Sequence, residues 1–103
     1  MATKTKRLVR TVNPAILRRA AEIIKLLGHP VRLKIVEVLE SGEATVSEVQ
    51  EELELAQAIV SQHLAKLRGA GVVAARREGV HVFYRLTEPK VHQILGCIRS
   101  CDM

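Results

Sequence analysis

From residue 57 to residue 77 the chain carries no carboxylate. Gln57, Ala58, Ser61, Gln62 and Lys66 recur there at spacings that a helix gathers onto one side, with His63 at the margin. These side chains suit a DNA major groove. A Gln amide donates and accepts at once, which matches adenine, and an Ala methyl fits against a thymine methyl. Ser and Lys reach phosphates or base edges. A few residues on, Arg76 and Arg77 set two guanidiniums side by side, and His81 and Arg85 follow. The bland reading is a polar helix face turned to water. The absence of acids favours a polyanion instead, because nothing in the stretch repels a phosphate backbone.

Cys97 and Cys101 are the second group with reactive chemistry. Four residues apart on a helix, they share a face with Cβ atoms roughly 5–6 Å apart. A disulfide needs about 3.5–4.5 Å, so an intrahelical bond requires local unwinding, which the nearby chain end allows. A soft ion such as As(III) or Cd²⁺, bridged by two thiolates, fits more easily, and a partner subunit could add further thiols. Equally, both cysteines could be small buried hydrophobes beside Ile94 and Ile98. Both readings stand at this point. His92, five residues before Cys97, is badly spaced to share an ion with it. Nothing here points to an enzyme: there is no glycine-rich phosphate loop, nucleophile elbow or metalloprotease pattern, and Ser61 and His63 do not face each other on a helix.

The chain has 103 residues, enough for one domain. Apolar residues make up 48% but aromatics only 2%, Phe83 and Tyr84, so the core is expected from helix packing rather than a large β-sandwich. No apolar run reaches the roughly 18 residues of a membrane span, and the basic N-terminus lacks the apolar segment of a secretory signal. Two cysteines are too few for a disulfide scaffold, which points to reducing cytoplasm. The net charge of +5 is unevenly placed. Residues 1–20 hold six basic groups and no acid, and residues 37–54 hold seven of the 11 acids.

The elements that must position these groups follow from periodicity and punctuation. Residues 1–12 read as a flexible basic arm, and residues 13–103 as the folded domain. Asn13-Pro14 and His29-Pro30 each open a helix, a capping side chain followed by a residue with no N–H to lose. Thr45-Val46-Ser47-Glu48 fits a capping box for a third helix over 45–53. A short turn at Glu54-Leu55 leads to a fourth helix over 56–68, whose inner stripe is Val60, Leu64 and Leu67. The period then changes to two. Val80, Val82, Tyr84 and Leu86 alternate with His81, Phe83 and Arg85 and pair with residues 72–76 across a turn at Arg77-Glu78-Gly79, which puts Arg76 and Arg77 at the hairpin tip. Thr87-Glu88-Pro89 opens the last helix. The order is α-α-α-α-β-β-α: mainly α with a β-hairpin.

Helices 45–53 and 56–68, joined by a tight turn, match a helix-turn-helix, and the hairpin matches a wing. HPVRLKIVEVL, then TVSEVQEELELAQAIVSQHLAKLRGAGVV, then REGVHVFYRL, resemble the ArsR/SmtB family of bacterial winged-helix repressors over about residues 14–101. The resemblance implies a winged helix-turn-helix homodimer joined by its first and last helices, binding a double-stranded DNA operator and released by an inducer. Of the family's sensing sites, the thiolate pair early in helix three is missing, since residues 43–50 hold no cysteine. The carboxylate and histidine site on the last helix falls near Glu88, Lys90 and Cys101, and Lys90 is no ligand. The redox pair lacks its cysteine in residues 30–39. That leaves Cys97 and Cys101 for a thiol-directed signal, from arsenite or a soft metal, an oxidant or reactive sulfur. The rivals are a winged-helix DNA binder without an inducer site, a nonspecific architectural DNA binder, and a protein-interaction module on the same fold.

Overall fold

The computed structural model describes residues 10–101. Most of the expected basic arm, residues 1–9, lies outside them, and residues 10–13 have no regular structure. Five helices and three strands follow: α1 Pro14–Leu27, α2 Pro30–Glu40, β1 Ala44–Thr45, α3 Val46–Leu53, α4 Gln57–Gly69, β2 Val73–Glu78, β3 His81–Leu86 and α5 Pro89–Ser100.

The helices start where their caps dictate. Asn13 Oδ1 accepts from the Ala15 amide at 2.8 Å, and His29 Nδ1 from the Val31 amide at 3.1 Å. Thr45 and Glu48 close a reciprocal box: the Glu48 amide donates to Thr45 Oγ1, and the Thr45 amide donates to Glu48 Oε1. Glu88 caps α5. The wide apolar surface of α2 makes it the central element. Ile35 and Val36 are fully buried, and α2 packs against α1, α3, α4, α5 and β3. The fully buried Val49, Val60, Leu64, Leu67, Val72 and Val91 complete the centre of the core. Each such side chain contributes about 1.5–3 kcal/mol by leaving water.

Two features depart from the sequence-based expectation. First, the sheet has three strands in the order β1-β3-β2, all antiparallel. The residues that lead into the capping box also pair with the wing, Ala44 opposite Tyr84 and Thr45 opposite Phe83. Second, the hairpin turns at Gly79 and Val80, not at Arg77-Glu78-Gly79. Arg76, Arg77 and Glu78 stay in β2, opposite Phe83, Val82 and His81. Gly79 supplies the positive φ (62°) that a two-residue hairpin loop demands. Arg76 and Arg77 are therefore strand residues on opposite faces, and the tip is Val80, 90% exposed.

No helix among the described residues is long and apolar enough to cross a membrane.

Candidate nucleic-acid interface

The turn between α3 and α4 is three residues long. Glu54 takes a left-handed conformation (φ 53°, ψ 46°) and Leu55 donates its amide to the Gln50 carbonyl at 3.2 Å, closing off α3. Ala56 then starts α4 with no side-chain cap, unlike α1, α2, α3 and α5. Val60, Leu64 and Leu67 drive one face of α4 into the core. On the outer side Gln57, Ala58, Ser61, Gln62 and Lys66 are all exposed. The structure thus brings five of the six predicted helix residues onto one open, acid-free surface.

His63 is the sixth, and it turns away. It is half-buried against the start of α2, its ring 4.6 Å from that of His29, and its Nδ1 accepts from Arg32 Nε at 3.1 Å. Arg32 also donates through Nη1 to the Leu26 carbonyl in the last turn of α1 at 3.0 Å. Burial first, then the neighbouring His29, Arg32 and Lys66, hold His63 below the ordinary histidine range. At the other end of α4, Arg19 Nη2 donates to the Ala70 carbonyl at 2.8 Å and lies 3.8 Å from Glu88. Arg32 and Arg19 brace α4 from other helices, a part that the sequence does not mark. Their partners lie 31 and 51 residues away, and no local pattern marks them.

The two wing arginines are unlike one another. Arg76 makes a bidentate pair with Glu43 at 2.8 and 3.0 Å, bonds Glu78 at 2.6 Å, and lays its guanidinium 4.7 Å from the centre of the Phe83 ring. Those bonds, to Glu43 first and then Glu78, hold Arg76 above the usual arginine range, and Arg76 holds the Glu43 carboxyl below its own. Arg77 is exposed on the opposite face of β2, the side of Ala75 and Val82, with no ion pair among the described residues. His81 and Arg85 are exposed as well.

The cysteines are not core residues of this chain. Both are free and exposed. Cys97 lines a groove of about 730 Å³ between α1 and α5, together with Ile16, Ile23, Ile24 and Ile94. Cys101 is the C-cap of α5, already out of helical conformation (φ −77°, ψ 132°). Among the described residues no group of three or more His, Cys, Asp or Glu side chains could hold a metal ion.

Residues 29–75 match the family described as bacterial regulatory protein, arsR family. A biofilm growth-associated repressor of Agrobacterium fabrum is 41% identical over 88 residues, which cover 82% of this chain and 75% of that protein. The crystal structure of the transcriptional repressor PagR of Bacillus anthracis superposes with a TM-score of 0.76 at 37% identity, covering 84% of this chain and 99% of that one. A homodimeric winged helix-turn-helix DNA-binding domain from Mycobacterium bovis gives 0.72 at 28% identity, covering 96% and 87%.

Proposed function

We propose, from the premise that this chain belongs to the arsR family of bacterial regulatory proteins and is a DNA-binding transcriptional repressor rather than an enzyme, that two copies of it lay α4 in successive major grooves of an operator. The observation that carries this reading is the open outer side of α4. Gln57, Ala58, Ser61 and Gln62 meet base edges, and Lys66 meets phosphate. Arg77 of the wing reaches the flanking backbone. Arg76, occupied by Glu43 and Glu78, braces the wing and makes the weaker contribution.

The homodimer is supported by the α1–α5 groove. Ile16, Leu17 and Ile24 are 60%, 54% and 63% exposed in the single chain, and a second copy would cover them. The basic residues of positions 1–12 add positive charge to the chain, and the protein acts in the cytoplasm. A thiol-directed signal relieves repression at Cys97 and Cys101, which are accessible and free. Cys97 lies in the groove, so a soft ion or oxidant there would act where the subunits join.

Gel shifts on the promoter of its own operon at several salt concentrations test the reading. Specific binding that weakens steeply with salt is expected, and binding no better than to random duplex would refute it. Ile24→Glu should give a monomer in sedimentation that no longer holds the operator. For the signal, arsenite and oxidant should release the wild type and leave Cys97→Ser/Cys101→Ser bound. Equal binding by all preparations would refute a sensing role for the thiols.

A further inference from the structure

Arg32 and His63 lie off the surface that meets DNA, and the reading above gives their bond no task. Arg32 stands in the first turn of α2 and ties down two other helices: Nε donates to His63 of α4, and Nη1 to Leu26 at the end of α1. The acceptor on His63 is the Nδ1 lone pair. The bond therefore exists only while that nitrogen is unprotonated and the ring proton is on Nε2. Among the described residues, the groups facing the ring are His29 just before α2, Arg32 of α2 and Lys66 of α4, and the carbonyl of Leu26 in α1 lies beside Arg32. No described ion pair gives Arg32 or Lys66 a carboxylate.

The geometry points to Arg32 and His63 as positioning residues that hold α4 to α2 in its DNA-reading pose, and to their bond as a proton-sensitive latch on sequence-specific binding. A second proton on His63 removes the acceptor and stands an imidazolium against a guanidinium. The side chains separate, and α4 loses its polar tie to α2, leaving the buried Val60, Leu64 and Leu67, and Arg19 at its far end, to hold it. Burial and the neighbouring cations keep His63 neutral at ordinary pH, so the latch opens only under acid. The sign is opposite to that of net charge. Each added proton makes the chain more cationic and by itself strengthens attraction to phosphates. The inference rests on α4 being the reading helix.

The test uses a duplex that the chain itself selects from a random-sequence pool at about pH 8, with a scrambled duplex as control. Failure to select any sequence would remove the repressor reading, and this inference with it. Given a selected duplex, wild-type affinity for it is expected to fall roughly tenfold between about pH 8 and pH 5, with no fall for the scrambled duplex. His63→Asn keeps an acceptor near the Nδ1 position without titrating. It should bind within about twofold of wild type at the higher pH and show a flat profile. His29→Asn keeps a cap for α2 and should retain the wild-type slope. Specific affinity that rises as pH falls, or an acid loss that persists in His63→Asn, overturns the latch. Imidazole ¹⁵N shifts of the wild type give a check that needs no variant. The Nε2–H tautomer of His63 is expected at high pH, and the Nδ1–H tautomer would overturn the assignment.

Discussion

α3 and α4 follow each other across three residues, yet they are finished differently. α3 opens on the reciprocal Thr45/Glu48 cap and exposes Glu48, Glu51 and Glu52. α4 opens on Ala56 with no side-chain cap, has no acid, and exposes Gln57, Ser61, Gln62 and Lys66. The scaffold helix is stabilised locally, by its own side chains. α4 is stabilised from elsewhere: by the buried Val60, Leu64 and Leu67, by Arg32 on one flank and by Arg19 at its end. Support from behind leaves the outer surface of α4 free for a partner, and that division of labour is what the two helices teach.

Exchanging their chemistry should break the comparison. The largest effect is expected from Ser61→Glu, which sets a carboxylate against the duplex. Operator affinity should fall roughly a hundredfold in a gel shift, with the thermal midpoint little changed. Glu51→Gln in α3 should alter affinity by less than about twofold. Equal losses from the two would erase the distinction. Next, Thr45→Ala removes half of the capping box and should cost about 1 kcal/mol in urea unfolding, while affinity per folded molecule stays the same.

The wing sharpens the contrast within a pair of neighbours. Arg77→Ala should weaken binding severalfold and reduce the slope of log K against log salt by about one. Arg76→Ala should leave that slope in place. The smallest effect is the pH dependence of the Arg76–Glu43 brace. Its bond to Arg76 depresses the Glu43 pKa below the ordinary 4.5, so the stability it adds is present above that value and is lost as pH falls beneath it. Glu43→Gln should remove that part of the acid unfolding profile, and both residues are exposed enough that the change will be modest.

Much of this architecture was legible in order along the chain. Asn13-Pro14, His29-Pro30 and the Thr45 box mark helix starts through bonds made within three residues, and the polar side of α4 is written in the spacing of Gln57, Ser61 and Lys66. What escaped depends on distant partners. A two-residue strand such as Ala44–Thr45 cannot show alternation, and it exists because β3 offers it an edge. The position of the turn is not legible because Val80 looks like the start of a strand, whereas the left-handed demand falls on Gly79. The spacing puts the cysteines beside an apolar stripe. The stripe is real, but Ile98 is 39% exposed and Cys97 opens onto a groove.

The bare start of α4 bears on any attempt to make the chain more heat-resistant. Ala56→Asp would give its first amides an acceptor and favour the helix dipole, the simplest hardening this sequence offers. On the proposed reading, in which α4 enters a groove of the operator, the same substitution would place a negative charge at its mouth. Durability and operator grip therefore pull in opposite directions at one residue. Variants selected only for heat resistance should accumulate acids at Ala56 and lose their hold on DNA.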